Sequence, residues 1–480
     1  MQHPDYAVPA LYIDGEWITE TPRKGDVWNP ATGEVLASFP FAEPDQIDRA
    51  LDSSAAAFEL WRKTSYQERI DIMHRAADII RKNSEQIARH LTLELGKPLV
   101  DSKAEVENCA TLLEWFANAA ANHNDRALDD MKGFTNRTVR KEPIGPVVAF
   151  ASWNFPASLA TRKMAAAISV GCTVIVKPAK ETPASFMAVV HALDEAGLPN
   201  GVVNLLMGDS SEISKKLIAS PIIKKVSFTG STPVGQQLAA MAGEQAKPCV
   251  MELGGHAPVL IFKDAAIEKV IDLAVATKSR NSGQVCISPT RFFIEEEAYD
   301  QFTDGFVKAY GSLRVGDGLE PETQMGPLAN SRRVSDIDEL VQDAVKHGAR
   351  LLAGGHRIDR PGNFYAPTVL ADVPDSARIM QEEPFGPVAI LNRFSDYDDA
   401  IEKANNTDFA LASYAFTGSQ ETADHLANDL DSGKVGINGF PVVFLDSPLG
   451  GRRMSGYGSE GGYEGLDAYR IVKFVSQSEI

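Results

Sequence analysis

An α/β architecture built on two mainly parallel sheets is predicted by an alternation of apolar strands and amphipathic helices that occurs twice along the chain. The first run starts after Gly145, the second after Gly254-Gly255. Length agrees, because 480 residues exceed what one hydrophobic core ordinarily holds. The first sheet reads as Rossmann-like, although no GxGxxG is present.

Ahead of the first sheet, short strands at Leu11–Ile13 and Trp17–Ile18 flank the turn at Asp14-Gly15, and a second turn runs from Asn29 to Gly33. Apolar residues three and four apart then predict helices over Asp45–Phe58, Gln67–Leu95 and Ala104–Ala121. The polar stretch Asn122–Arg140 reads as an excursion away from the core. Strands at Val147–Ser152, Thr173–Val176, Val202–Leu206 and Lys225–Phe228 are separated by helices at Ser158–Val170, Pro183–Ala196 and Ser211–Ala219. The second alternation opens with strand Pro258–Phe262, helix Ala266–Ser279, strand Arg291–Ile294 and helix Ala298–Tyr310, and continues to about Arg453. Alternation around Tyr469, Ile471 and Val475 predicts a tail strand that pairs outside its own domain.

Composition removes several function classes. A formal charge of −18 opposes nucleic acid and anionic membrane, so neither is expected as a partner. Four scattered cysteines without a CxxC argue against a disulfide framework or a metal site. The chain start lacks a basic, apolar leader, and no apolar run reaches the roughly 18 residues a membrane span needs. A reduced, cytoplasmic setting is expected.

Four segments carry chemistry. In Ser279–Pro289 (SRNSGQVCISP), Cys286 follows a glycine turn among small and polar residues. Isolated cysteines are ordinarily inert core residues, so the thiol gains meaning only from its company. Val250–Pro258 (VMELGGHAP) supplies Glu252 just before a Gly-Gly break, a carboxylate able to act as a base. Trp153-Asn154-Phe155-Pro156 follows a predicted strand, where the Asn154 amide can donate to a developing oxyanion. Phe228–Gly235 runs from strand through glycine turn into helix, a place for a pyrophosphate.

These segments, with Lys177–Pro183, Glu382–Pro387 and Ser455–Gly462, resemble the aldehyde dehydrogenase superfamily in order and approximate spacing over nearly the whole chain. The resemblance implies a dinucleotide-binding domain at 1–121 and 144–253, a catalytic domain at 254–453, and a small β oligomerisation element at 122–143 and 463–480 that makes a homodimer or homotetramer. It implies Cys286 as nucleophile, Asn154 as oxyanion donor, Glu252 as the base that activates water, and Lys163 and Glu460 as a proton relay. Trp153, Lys177, Lys180, Gly230, Ser231, Glu383 and Phe385 fall at cofactor positions. Lys180 departs from the glutamate common in NAD-specific members; a lysine attracts a 2′-phosphate, so NADP, or both NADP and NAD, is expected.

Within the superfamily the chain is most similar to succinic and α-ketoglutaric semialdehyde dehydrogenases. Arg162 and Arg280 fall where those enzymes clamp a distal carboxylate, and Phe444 stands at a substrate-loop position that weakens exclusive use of succinic semialdehyde. A sugar-derived or aromatic aldehyde, a coenzyme A-acylating reaction and a non-catalytic binding protein are the alternatives.

Overall fold

The computed structural model describes residues 3–122, 125–129 and 131–478; residues 123, 124, 130, 479 and 480 of the expected oligomerisation element lie outside them. An eight-stranded sheet and a seven-stranded sheet organise the chain. In the first, the order is Glu16–Ile18, Leu11–Ile13, Val203–Leu205, Val174–Lys177, Val147–Phe150, Lys225–Thr229, Cys249–Glu252 and Gly456–Tyr457. Its five inner strands are parallel. They are apolar on both faces because helices cover both, and Val147–Phe150 and Val174–Lys177 are buried throughout.

The second sheet runs Arg350–Ala353, Thr368–Ala371, Val388–Phe394, Pro289–Glu295, Ala257–Ile261, Ser413–Phe416 and Val435–Ile437. All pairings are parallel except that of the first two strands. Separate apolar clusters fill its two faces, one around Ile337, Leu370 and Ile390, the other around Phe292, Phe302 and Tyr414.

One expectation is corrected and two are extended. The helix expected over Gln67–Leu95 is two, Tyr66–Lys82 and Ser84–Leu95. At Asn83 the backbone leaves the helical region (φ −101°, ψ 12°) and the side-chain Nδ2 donates to Ile79 O at 3.0 Å, which ends the first helix. The polar stretch after Asn122 contains strand Phe134–Pro143, paired along its length with Arg470–Ser478 and, on its other edge, with Arg126–Ala127. The tail strand therefore pairs outside the region of the second sheet, as its alternation leads one to expect. Gly456–Tyr457, within the Ser455–Gly462 segment, returns antiparallel to Cys249–Glu252 and closes the first sheet.

Candidate active site

Strand register gathers the site. Phe150 pairs with Lys177 and Phe228, and Thr229 pairs with Glu252, so Lys177, the Trp153-Asn154 turn, the Gly230-Ser231 turn and Glu252 lie along the carboxyl edge of one sheet. Ligands of parallel α/β sheets bind at that edge. The second sheet faces it with the opposite ends of its strands. Cys286 precedes Pro289–Glu295, Glu383 and Phe385 precede Val388–Phe394, and Lys434 precedes Val435–Ile437.

The thiol's loop is held in an uncommon conformation. Asn281, Ser282 and Gly283 have φ of 48°, 56° and 71°, and for the first two this left-handed region carries strain. Side chains hold it there. Asn281 Nδ2 donates to Asn154 O at 2.9 Å, Ser282 Oγ to Gly326 O at 2.8 Å, and Gln284 Oε1 accepts from Ala329 N–H at 3.0 Å. Gly283 has no alternative, since a Cβ would stand 2.1 Å from Gly386 O.

Asn154 is buried and oriented: Ser152 Oγ donates to its Oδ1 at 2.6 Å, which turns Nδ2 toward Gln284 O at 3.0 Å. One N–H is thereby occupied and the second remains as a donor. The Cys286 backbone N–H lies beside its own thiol and favours its anionic form. Burial, with Glu383 and Glu252 nearby, pushes that thiol up to about 12, and Lys434 opposes the rise. The other three cysteines are free thiols, and among the described residues no group of three His, Cys, Asp or Glu side chains is placed to hold a metal.

Glu252 is buried, and its Oε1 has no hydrogen-bond partner in the protein. Burial first, then Glu460, pushes its carboxyl up to about 8, opposed by Lys434, Lys163 and Arg162. Lys163 and Glu460 form a buried ion pair, Ser227 Oγ donates to Glu460 Oε1 at 3.1 Å, and Glu460 Oε2 is left without a partner.

On the expected cofactor side, Trp153 and Phe385 meet edge to face at 5.4 Å between ring centres, with Phe385 at φ 43°. Lys177 is buried, donates to Pro178 O at 3.1 Å, and is pushed down to about 8 by burial. Lys180 is exposed beside half-buried Glu181. The Gly230 N–H of the glycine turn is committed, donating to Glu252 O at 3.0 Å. The open donors of that turn belong instead to the start of helix Thr232–Glu244, whose Ser231 cap makes no side-chain bond. Glu383 accepts from Gly255 N–H at 2.9 Å, which leaves one oxygen uncommitted, and the neighbouring Thr229 hydroxyl is buried without a partner. Open helix-terminal donors, an unpartnered hydroxyl and a buried amine fit a dinucleotide.

The expected substrate residues line one cavity of about 740 Å³, with Trp115, Phe155, Arg162, Arg280 and Phe444 in its wall. Arg162 is buried and its Nη1 has no partner. Arg280 is exposed and lies 5.1 Å over the Phe155 ring, while Phe444 is 55% exposed at the rim. Sequence reasoning missed Asn281 and Lys434. The first carries no motif beyond polar loop residues, and the second precedes a short apolar strand and reads as its solvated end.

Comparison with known proteins decides the family. Residues 17–475 match the Aldehyde dehydrogenase family. The chain belongs to that family. It is an NAD(P)-dependent aldehyde dehydrogenase. A 4-(hydroxymethyl)benzenesulfonate dehydrogenase of Comamonas testosteroni is 43% identical over 98% of each chain. An NADP(+) succinate-semialdehyde dehydrogenase of Escherichia coli is 37% identical over 96% of each. The crystal structure of a succinate-semialdehyde dehydrogenase from Burkholderia pseudomallei superimposes with a TM-score of 0.96 at 36% identity, covering 100% of both chains.

Proposed function

We propose that this aldehyde dehydrogenase oxidises an aldehyde bearing a distal anion, a carboxylated semialdehyde such as succinic or α-ketoglutaric semialdehyde, to the carboxylic acid. The observation that carries this reading is the buried Arg162 guanidinium, unpartnered at Nη1, sharing a cavity with Arg280. Glu460 and Glu252 stand near this guanidinium without forming an ion pair with it, so its open nitrogen and the Arg280 charge leave a place for an anion from outside the fold.

In this reading Cys286 Sγ attacks the carbonyl carbon to give a thiohemiacetal, and the second Asn154 N–H and the Cys286 N–H hold the oxyanion. An oxidised nicotinamide supplies the hydride acceptor. Glu252, through its unpartnered oxygen, takes a proton from the water that attacks the resulting thioester; the acid leaves and the thiol is restored. Lys163 and Glu460 carry the proton away from Glu252. This base supports hydrolysis over transfer to coenzyme A, which needs none. Lys177 and Glu383 hold the ribose hydroxyls, Trp153 and Phe385 flank the nicotinamide, Ser231 and the backbone around Gly230 face the pyrophosphate, and Lys180 favours NADP or use of both cofactors.

The aromatic walls of the cavity, Trp115, Phe155 and Phe444, favour a second reading in which the anion is carried on an aromatic aldehyde as a sulfonate or carboxylate. Kcat/KM for succinic semialdehyde, 4-formylbenzenesulfonate and butanal, each with NADP and NAD, separates the two. Arg280→Ala raises KM for the anionic aldehydes about tenfold or more and leaves butanal unchanged. Equal effects on all three overturn the anion clamp, and a large preference for NAD overturns the role of Lys180. The reading also places a cytoplasmic homodimer or homotetramer on the sheet formed by Phe134–Pro143 and Arg470–Ser478, where Val472 and Phe474 are exposed; light scattering gives the mass.

A further inference from the structure

Lys434 is buried, with 7% of its surface exposed, at the start of the edge strand Val435–Ile437. Its carbonyl accepts the Ser413 N–H at 2.9 Å and its Nζ donates to Gly450 O at 3.1 Å. Two glycines bring it close to the reacting groups. A Cβ at Gly433 would lie 2.0 Å from Gly450 O and 3.3 Å from Leu411 O, and a Cβ at Gly255 would lie 2.1 Å from Cys286 O and 3.3 Å from Leu411 Cβ. Leu411 thus packs between the two glycines, and neither position admits a side chain. The backbone before Lys434, the loop after Glu252 and the backbone of Cys286 are pressed into one small volume.

We propose that Lys434 is a positioning residue of the catalytic centre, whose ammonium supplies the positive charge that favours the anionic forms of both Glu252 and Cys286. The inference rests on the roles proposed above for those two residues. The charges facing each group agree with it. Glu252 faces Glu460, Lys434, Lys163 and Arg162; Cys286 faces Glu383, Glu252 and Lys434, with Tyr414 also nearby; Lys434 faces Glu252, Cys286, Arg162 and Glu460. Lys163 is committed to its ion pair with Glu460. Lys434 makes no carboxylate contact within ion-pair distance among the described residues, and Gly450 O uses one of its three N–H donors. Burial lowers its own affinity for a proton, and Glu252 and Cys286 raise it again, so the influence is mutual. A purely structural lysine here would serve only to tie the strand to Gly450.

The two roles separate experimentally. Lys434→Gln retains a donor for Gly450 without the charge, and Lys434→Met retains the apolar stem alone. The rate of Cys286 alkylation by iodoacetamide is followed against pH in the wild type and both variants, the modified peptide being identified by mass spectrometry and folding checked by thermal melting. Both variants are expected to shift the curve upward by about one pH unit, so that alkylation at a fixed pH below the midpoint slows about tenfold. Their steady-state turnover should also need higher pH. A Cys286 curve unmoved in both folded variants overturns the role of Lys434 alone. A wild-type enzyme that keeps full activity when Cys286 is alkylated overturns the nucleophile and this inference together.

Discussion

Two pairs of buried carboxylates are treated in opposite ways. Glu94 and Glu105 cap helices that lack their own side-chain caps: Glu94 accepts from the N–H groups of Ala184 and Ser185, both at 3.0 Å, and Glu105 from those of Ala157 and Ser158 at 3.1 and 3.0 Å. Glu94 also accepts from the Tyr6 hydroxyl, and Glu105 forms a buried ion pair with Lys97. Glu252 and Glu460 are as deeply buried, yet each keeps an oxygen without a partner. A saturated buried carboxylate stabilises the fold through the helix termini it binds. One left open costs stability and retains the freedom to take a proton. The helix Pro156–Ser169 links the two treatments, since Glu105 holds its first turn while Arg162 and Lys163 project from its middle toward Glu252 and Glu460.

The contrast can be broken at either end. Glu252→Gln should lower kcat by about 10²–10⁴-fold without lowering the unfolding midpoint, because it removes a buried carboxyl whose Oε1 has no hydrogen-bond partner. Glu105→Gln should do the reverse: it strands Lys97 without a counterion and costs about 3–5 kcal/mol, read as a fall in the denaturant midpoint, while kcat at saturating substrate stays within a few-fold. Equal losses of stability in the two variants would erase the distinction. The pH dependence sharpens it. Glu252 acts as a base only when ionised, so the hydrolytic rate should climb about tenfold per pH unit on the acid side and level off above about 8, a limb absent in Glu252→Gln. The same residue also bears on stability. A carboxyl raised in the folded state binds its proton there more tightly than in the unfolded chain, so its contribution to stability falls as pH rises between about 5 and about 8. Glu252→Gln should therefore gain on the wild type across that interval in melting curves taken at several pH values.

Much of the arrangement was legible in the sequence because strand-to-turn segments are local. Apolar patterns located four of the five inner strands of the first sheet to within a residue or two, and the segments around Asn154, Glu252 and Cys286 could be recognised without knowing how they meet. What local patterns do not carry is pairing across the chain. Gly456–Tyr457 joins the first sheet from some two hundred residues beyond its neighbour Cys249–Glu252, and Phe134–Pro143 is a strand because Arg470–Ser478 lies beside it. The break at Asn83 is a single side-chain hydrogen bond inside an otherwise continuous helical pattern. Lys434 was illegible for a further reason: its meaning comes from Gly433, Leu411 and Gly255 packing together, and only one of those is adjacent to it. The Gly230 N–H depends on pairing in the same way, since it is committed by Glu252 on the neighbouring strand.

The division of labour between Cys286 and Glu252 is tested most directly in the Glu252→Gln enzyme mixed with a semialdehyde and NADP. A burst of reduced cofactor equal to the enzyme concentration is predicted, followed by slow turnover, with intact-mass and peptide analysis locating the acyl group on Cys286. Undiminished steady turnover, or an acyl group found on any other residue, would contradict it.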